Sequence, residues 1–377
     1  MTTYTPRTRF ERIMRHQEAD RVPIDLAGTS LTSADSQVIA ALQTALGLDD
    51  QPTGPYQAFD ERILQRLNID FRRVGNLIAS GDAPFPGKPG YQRDMWGIVR
   101  KWTGQYWDII ESPLRDTTIA DLDSFPWPDP AQVIAATPLE AYQREAERLW
   151  HETDYVVVAE HPVYGVLELA CWMCGFDDFL ARLAGDRAYV YRLFDILLAL
   201  QKAFIEPYYK AVGPYIHLTT SGDDFGTQAG PFMSPRTFRE TVKPYFAERI
   251  AFTRQFTHGY FWHHTCGSVF ALLPDLLDAG VDILNPVQPG AKDMEPERLK
   301  AAFGNRLCFH GGFDTQGVLP FGDAQTIEAE VKRVMDAMKP NGGYIFSAAH
   351  NIQNDVSAQN VLTMIRAALE LGRYDQE

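Results

Sequence analysis

The segment Tyr155-Val-Val-Val-Ala-Glu160 decides the fold class of this 377-residue chain. Its first five residues form an uninterrupted apolar run, and a carboxylate follows them directly. A strand that is apolar on both faces is typical of a parallel sheet covered by helices. We therefore predict an α/β protein in which polar residues follow the carboxyl ends of the strands.

Seven further stretches are short and strand-like, and amphipathic helical patterns separate them. The eight predicted strands cover residues 21–26, 70–75, 155–160, 215–220, 260–266, 282–287, 307–311 and 344–349. The clearest helical patterns cover residues 187–207, 234–254, 268–279, 325–339 and 357–372, and Ser234-Pro235 predicts an N-cap followed by proline at the first helical position. Strands that alternate with helices in this way predict a (β/α)₈ TIM barrel, and we expect a single domain over residues 1–377.

One stretch interrupts this alternation. Residues 81–130 are rich in Gly, Pro and Trp, and they contain two hairpin-like segments at 96–102 and 105–110. We interpret them as a hairpin and loop insertion after the second strand. Such an insertion lies on the C-terminal face of a barrel, where Trp96, Trp102 and Trp107 would form a lid or a partner surface.

The composition excludes several classes of protein. The chain carries 35 basic and 49 acidic residues, for a net charge of -14, which argues against nucleic-acid binding and against docking on anionic membranes. No apolar run reaches the roughly 18 residues that a bilayer span needs. The first residues lack the apolar core of a signal peptide, and four cysteines do not make a disulfide framework. We therefore expect a cytoplasmic enzyme.

The aromatic run Tyr260-Phe-Trp-His-His-Thr-Cys-Gly267 carries the most specific chemical signal. His264 and Cys266 are two residues apart, so they share a face where a strand ends, and a histidine with a cysteine can hold zinc. His350 follows the last predicted strand and completes a set of three ligands, which leaves a position open as in catalytic zinc sites. His263 alternates to the opposite face, where we expect a structural role.

Other polar residues also follow predicted strands. Asp224, Glu160 and Asp223 are candidates for acid–base work or for orienting a ligand, although Asp223 and Asp224 could equally cap a turn. The candidate substrate-binding residues are His161, Gln228, His310, Asp314, Asn351, Gln353 and Trp96. Cys171 and Cys174 have the spacing of a redox or metal motif, but they lie in an apolar helical segment that favours core packing.

These residues resemble the uroporphyrinogen decarboxylase superfamily, in particular its branch of zinc-dependent, corrinoid-linked methyltransferases. The resemblance covers nearly the whole chain. Its motifs are Phe10-Glu-Arg-Ile13 with Asp20-Arg-Val-Pro23, Gly175-Phe-Asp-Asp-Phe-Leu180, Gly222-Asp-Asp-Phe-Gly-Thr-Gln228, Met233-Ser-Pro235, His264-Thr-Cys-Gly267, Gly311-Gly-Phe-Asp314, and Gly342-Gly-Tyr-Ile-Phe346 with His350-Asn-Ile-Gln353.

The resemblance implies a barrel with its site at the C-terminal mouth, and it suggests a homodimer. It also implies zinc on a His-x-Cys pair and a later cysteine. His264 and Cys266 match the pair, whereas His350 stands near the position of the cysteine. The chain has no Asp-x-His-x-x-Gly segment of the usual cobalamin-binding kind, so the corrinoid would come on a separate partner protein.

Four functions follow as alternatives. The first is methyl transfer or demethylation on a small methylated substrate with a corrinoid protein. The second is a zinc-dependent lyase or hydrolase on a small polar substrate, since two imidazoles and one thiolate leave zinc more Lewis-acidic. The third is uroporphyrinogen decarboxylation, disfavoured because Ala27-Gly-Thr-Ser-Leu31 lacks the arginine that would hold substrate carboxylates. The fourth is a non-catalytic small-molecule binding protein.

Overall fold

Seven strands form one parallel sheet in the computed structural model, which describes residues 4–48, 59–78, 82–104 and 107–374. The strands within these residues are β1 (Phe71–Val74), β2 (Ala83–Pro84), β3 (Tyr91–Arg93), β4 (Val99–Trp102), β5 (Trp107–Glu111), β6 (Val156–Ala159), β7 (Leu218–Thr219), β8 (Tyr260–His264), β9 (Ile283–Val287), β10 (Cys308–Phe313) and β11 (Tyr344–Ala348). The parallel sheet has the order β1-β6-β7-β8-β9-β10-β11. Seven of the eight predicted strands are thereby confirmed.

The predicted first strand, residues 21–26, contributes a bridge to β11 instead of a regular strand. Ile24 pairs in parallel with Phe346, whose N–H donates to the carbonyl of Pro23 at 2.9 Å. On the other side, the N–H of Asp70 donates to the Ile24 carbonyl at 3.1 Å, and the Ile24 N–H donates to the Asp70 carboxylate at 2.8 Å. A regular ladder fails here because Pro23 has no N–H and a side chain replaces one backbone acceptor.

Helices connect the strands and cover the sheet. They are α1 (Pro6–Met14), α2 (Ser36–Ala45), α3 (Glu61–Arg66), α4 (Ile119–Ser124), α5 (Pro130–Ala136), α6 (Leu139–Glu152), α7 (Val166–Cys174), α8 (Phe176–Gly185), α9 (Arg187–Val212), α10 (Pro235–Thr237), α11 (Lys243–Thr253), α12 (Leu273–Ala279), α13 (Pro296–Phe303), α14 (Val318–Phe321), α15 (Ala324–Met338) and α16 (Ala358–Leu371). As predicted, Ser234 caps the segment that begins at Pro235, accepting the N–H of Thr237 at 3.1 Å. Among the described residues, none of the helices is both long enough and apolar enough to pass through a bilayer.

One hydrophobic cluster fills the inside of the sheet. Phe10 and Met14 of α1 pack into it together with at least one residue from every strand of the parallel sheet. The strand residues are Phe71, Val156, Val158, Leu218, Trp262, Ile283, Cys308 and Ile345. Residues from both edge strands can share one cluster only if the sheet curls, because adjacent strands lie about 4.8 Å apart and a flat sheet would separate its edges. A larger cluster joins the outer faces of the strands to the helices.

The predicted insertion follows β1 and folds as a second, antiparallel sheet in the order β2-β3-β4-β5. The predicted hairpin is present, with Trp102 of β4 paired with Trp107 of β5 and the two ring centroids 5.5 Å apart. These tryptophans are 43% and 41% exposed. Residues 81, 105 and 106 of the predicted insertion lie outside the described residues.

We predict that the fold loses stability as the pH falls from about 6.5 to about 4, partly through His217. Its Nδ1 accepts the N–H of Val157 at 3.0 Å, and burial, followed by the charge of Arg7, lowers its pKa from 6.5 to about 4. In this window the unfolded chain binds a proton at His217 and the folded chain does not. The free energy of unfolding therefore decreases as the pH decreases, and one group can contribute at most about 1.4 kcal/mol per pH unit to this slope.

Denaturant unfolding at pH 4.5, 5.5, 6.5 and 7.5 measures this slope. His217→Gln, which keeps an acceptor for Val157, should show a shallower slope than the native chain, whereas His258→Gln at an exposed site should not. Equal slopes for the native chain and His217→Gln would contradict the assignment.

Candidate functional site

A polar layer lies on top of the inner hydrophobic cluster. In β8, Trp262 belongs to the cluster and His264 follows it on the same face, with the two rings stacked at 6.0 Å. The same step of two residues leads from the cluster to Asn285 in β9 and to His310 in β10. Polar side chains therefore face the inside of the sheet toward the carboxyl ends of its strands.

His264, Cys266 and His350 form a cluster that could hold a metal ion. One ligand atom from each residue lies within 4.8 Å of the others. The Cys266 Sγ is 3.2 Å from the His264 Nε2, and the rings of His264 and His350 are 5.4 Å apart. Imidazole nitrogens and a thiolate are the donors that zinc prefers, so the residues present fit a zinc ion.

Hydrogen bonds behind His264 set which of its nitrogens faces this cluster. Its Nδ1 lies 2.6 Å from Asn285 Oδ1, Asn285 Nδ2 lies 2.8 Å from His310 Nδ1, and His310 Nε2 lies 3.0 Å from Asp25 Oδ2. Because the Asp25 carboxylate only accepts, His310 donates through Nε2 and accepts from the Asn285 amide at Nδ1. The Asn285 oxygen then accepts the Nδ1–H of His264. The Nε2 of His264 keeps its lone pair and faces Cys266, which is the tautomer of a metal-binding histidine.

Burial sets the protonation of the cluster. It lowers the pKa of both His264 and His350 to about 4, so both imidazoles are neutral at pH 7. Burial also raises the pKa of the Cys266 thiol, and the carboxylates of Asp224 and Glu168 raise it further. The imidazoles therefore offer lone pairs at once, whereas the thiol must lose its proton to bind a metal.

A cavity of about 270 Å³ opens beside the cluster. His264 and His350 border it, together with three carboxylates and two aromatic rings. The remaining lining residues that bear on its chemistry are Glu160, Glu168, Asp224, Tyr164, Trp172, Leu31, Leu77, Val163 and His161. This volume lies below the usual range for drug-sized ligands, so the cavity suits a small molecule.

Two further cavities border His350. One, of about 210 Å³, includes Cys266 and Gln228 in its lining. The other is a cleft of about 690 Å³ between His350 and the exposed tryptophans Trp102 and Trp107 of the insertion. The candidate metal cluster thus lies where a small internal cavity meets a larger cleft open to the surface.

The two neighbouring aspartates have different surroundings. Asp224 borders the small cavity and accepts the backbone N–H of Cys266 at 2.7 Å, and burial raises its pKa. Asp223 is outside the lining of that cavity and accepts the N–H groups of Glu168 (2.8 Å) and Leu167 (3.4 Å) at the start of α7. Burial raises the pKa of Asp223 to about 7. Of the two, only Asp224 is placed to act on a molecule in the cavity.

Glu160 borders the same cavity at the end of β6. Its carboxylate accepts the N–H of Ser30 at 2.7 Å and the hydroxyl of Thr220 at 3.0 Å, and a guanidinium nitrogen of Arg73 lies 3.7 Å away. Glu160 therefore holds the 29–33 turn against the sheet, and its charge is balanced.

Comparison with known proteins agrees with this architecture. The family model for uroporphyrinogen decarboxylase (URO-D) matches residues 108–371. The chain belongs to the uroporphyrinogen decarboxylase family. A methyltransferase from Methanosarcina mazei has a similar structure, with a TM-score of 0.67 and 17% identity over 98% of this chain and 99% of that one, which shows a shared fold.

A Listeria monocytogenes protein described as a candidate vitamin-B12-independent methionine synthase matches less well. Its TM-score is 0.45 at 12% identity, over 94% of this chain and 96% of that one. No curated protein matches the chain.

The structure of this family member separates the predicted substrate-binding residues into groups. His161 borders the 270 Å³ cavity, Gln228 and Asp314 border the 210 Å³ cavity, and Asn351 and Gln353 border the cleft beside the tryptophans. His310 belongs to the hydrogen-bond chain behind His264 and borders none of the three cavities. Trp96 is 1% exposed and packs in the core, away from the lining of all three cavities.

The sequence analysis did not identify four residues of the site. Asp25 and Asn285 are single polar residues inside apolar segments, and that isolation is the signal that could have identified them. Glu168 and Trp172 lie one turn apart on α7 and face the cavity, within a segment whose cysteines, Cys171 and Cys174, are buried as predicted. An i, i+4 pair in an apolar helix indicates a second exposed face.

We predict that this family member binds one equivalent of zinc and that Cys266→Ser removes most of it. The hydroxyl that replaces the thiol is a much poorer ligand, and two imidazoles remain. Cys308→Ser is the matched control because Cys308 is a buried cysteine of β10 whose Sγ lies 3.8 Å from the Ile13 carbonyl, outside the cluster. Metal analysis of the purified proteins checks this, and equal zinc in both variants would contradict the assignment of Cys266.

We also predict that Asn285→Ala weakens zinc binding about 10- to 100-fold, because the His264 tautomer loses its acceptor. Competition with a chromogenic chelator measures the affinity. Asn360→Ala removes an asparagine amide that donates to the carbonyls of Leu319 and Gly322 and bonds to no member of the cluster, so it should leave zinc affinity unchanged. If both variants hold zinc as the native chain does, the hydrogen-bond chain has no role in metal binding.

Proposed function

We propose that this chain is a zinc-dependent methyltransferase that takes a methyl group from a small methylated substrate and passes it to a corrinoid carried by a separate protein. The observation that carries the proposal is the His264–Cys266–His350 cluster. The hydrogen bond from His264 to Asn285 sets the tautomer of this histidine, so that its Nε2 lone pair faces the cluster. Family membership and a fold shared with a Methanosarcina mazei methyltransferase support it.

The side chains around the cluster suit this chemistry. A zinc ion held by His264, Cys266 and His350 would supply a Lewis acid beside the substrate cavity. The small cavity would hold the substrate beside the cluster, and Leu31 and Leu77 give it an apolar border. Asp224, fixed by the N–H of Cys266, is placed to orient the substrate or to hold a proton.

The larger cleft suits the corrinoid partner. It lies between His350 and the two exposed tryptophans of the insertion, and its volume of about 690 Å³ exceeds that of the substrate cavity. Exposed tryptophans are enriched where proteins dock on one another. We propose that Trp102 and Trp107 contact the corrinoid-carrying protein, so that its cofactor reaches the substrate across His350.

The cavity argues against uroporphyrinogen decarboxylation as the activity of this family member. A substrate with many carboxylates requires basic side chains, whereas the cavity is bordered by Glu160, Glu168 and Asp224. Its volume of about 270 Å³ is also small for a tetrapyrrole.

A zinc-dependent lyase or hydrolase is the second candidate, and His350 is the residue that favours it. A second imidazole in place of a second thiolate donates less charge to the metal. Such a site is a stronger Lewis acid and would act on a small polar substrate in the same cavity without a corrinoid.

We also infer that residues 22–26 close the sheet as its eighth position, making the chain a single-domain (β/α)₈ barrel. The hydrogen bonds of Ile24 to Asp70 and of Pro23 to Phe346 support this inference, because they reach both edges of the seven-stranded sheet.

The proposed function predicts that the zinc-loaded protein, given reduced cob(I)alamin and a panel of methylated alcohols, thiols, ethers and amines, forms methylated corrinoid with at least one donor. The absorbance change of the corrinoid measures the transfer. Cys266→Ser should slow it by more than about 100-fold, since a lost ligand typically removes most of the activity of such a site.

The variant pair Trp102→Ala and Trp107→Ala should keep the rate with free cob(I)alamin and slow transfer to a corrinoid-carrying protein about tenfold, because truncating a contact tryptophan at a protein interface often costs 1–2 kcal/mol or more. A zinc-loaded protein that methylates no corrinoid with any donor would exclude methyl transfer in favour of the lyase or hydrolase. A protein that binds no zinc would exclude both.

A further inference from the structure

The small cavity beside the cluster contains a carboxylate without a partner. Glu168 borders the cavity from α7, and among the described residues no hydrogen bond to its carboxylate is found. Burial raises its pKa well above the ordinary value, and the neighbouring carboxylates of Asp224 and Asp223 raise it further, while the charges of Arg249 and Arg100 offset only part of this rise. A half-buried carboxylate is stable only with a compensating charge or a proton.

The cationic side chains near the cavity have other partners. Arg73 lies 3.7 Å from Glu160, and Arg100 lies 2.6 Å from Asp94. Arg249 is buried and donates to the Tyr164 carbonyl at 3.1 Å and to the Ser221 hydroxyl at 2.7 Å. No cationic side chain therefore forms an ion pair with Glu168 among the described residues.

The proposed zinc ion does not remove this imbalance. Two neutral imidazoles and one thiolate leave a doubly charged ion with one net positive charge, and Asp224, which accepts the N–H of Cys266, lies beside it and offsets that charge. Glu168 is the carboxyl group that neither a hydrogen-bond donor nor an ion pair stabilises in its charged form. A cation in the cavity would supply that stabilisation.

Two aromatic rings border the cavity together with Glu168. Tyr164 and Trp172 are partly exposed, their centroids are 4.7 Å apart, and Trp172 lies one helical turn after Glu168. The Trp172 ring already accepts one cation, since the Arg100 guanidinium lies 5.3 Å from its centroid. Aromatic faces next to a carboxylate are the usual way in which proteins bind alkylated ammonium ions.

His161 supplies a further group that points to a ligand. It is 3% exposed and borders the cavity, and its Nδ1 lies 3.1 Å from the Val163 carbonyl and 3.4 Å from the Val163 backbone nitrogen. Its Nε2 is buried and has no hydrogen-bond partner among the described residues. Burial lowers the pKa of His161 well below its ordinary value, so it adds no positive charge to the cavity.

We propose that the cavity binds a methylated ammonium ion, with its charge against Glu168 and its methyl groups against Tyr164 and Trp172. The proposal rests on the proposed methyl transfer and names its substrate class. The chemistry balances: the carbon–nitrogen bond breaks, nitrogen keeps the electron pair and leaves as a neutral amine, and the reduced corrinoid of the partner accepts the methyl group. A neutral leaving group needs no acid, which agrees with a cavity that contains carboxylates and no cationic side chain.

Calorimetry on the zinc-loaded protein tests the proposal with two probes of the same shape. Choline and 3,3-dimethylbutan-1-ol differ in a positively charged nitrogen against a neutral carbon. We expect choline to bind at least about tenfold more tightly, which corresponds to about 1.4 kcal/mol, because only choline gains the cation–π and ion-pair contacts. Equal affinity for the two probes, or preference for the alcohol, would overturn the proposal.

Variants then locate the binding site. Glu168→Gln should weaken choline about tenfold and leave the alcohol unaffected, whereas Glu152→Gln on the surface of α6 should change neither. Trp172→Phe should keep most of the choline affinity and Trp172→Leu should lose it, with thermal unfolding as the check on folding. If Glu168→Gln and Trp172→Leu both bind choline as the native protein does, the assignment to this cavity is wrong.

The outcomes separate this proposal from the proposed function. Methyl transfer from a neutral donor by a protein that does not discriminate the probes would keep the function and exclude the ammonium substrate. Selective choline binding without any corrinoid methylation would keep the binding site and exclude methyl transfer.

Discussion

The hydrogen-bond chain from Asp25 through His310 and Asn285 to His264 is the constraint on which the candidate site depends. Each member comes from a different strand or segment, so the chain exists only when β8, β9 and β10 lie side by side with the 22–26 segment across from them. Because one end is a carboxylate, every donor and acceptor along it is determined. The same bonds satisfy the buried polar groups, as a packed interior requires, and present the lone pair of His264 to the cluster.

The apolar layer beneath explains why this polar chain can be buried. Phe10 and Met14 of α1 and one or two residues of each strand fill the inside of the sheet, and the polar residues follow two positions later. Because successive side chains of a strand point to opposite faces, the residue two positions further along lies on the same face, in the next layer of the interior. Ligands placed on such a layer cannot move far, which suits a site where the positions of a few atoms decide metal binding.

Three carboxyl groups, those of Glu160, Glu168 and Asp224, border the small cavity. The cationic side chains nearby are committed to Glu160, Asp94 or backbone and hydroxyl groups, while Glu168 has no partner and Asp224 faces the cluster. Family relatives share the fold, but the fold alone does not assign this charge distribution.

The sequence by itself determined the strands and the three candidate ligands. Apolar runs and alternating patterns depend on neighbouring residues, so they located seven strands, the antiparallel insertion and the polar strand ends, including His264, Cys266 and His350. It overestimated the strand at residues 21–26, where Asp70 replaces a backbone acceptor. It also gave Trp96 an exposed role, although the residue packs in the core, and did not distinguish Asp223, which anchors the start of α7, from Asp224, which borders the cavity. The curl of the sheet, the partners of His264 and the unpaired Glu168 were decided only by the tertiary structure, because they depend on contacts between residues far apart in the chain, and such contacts leave no local pattern.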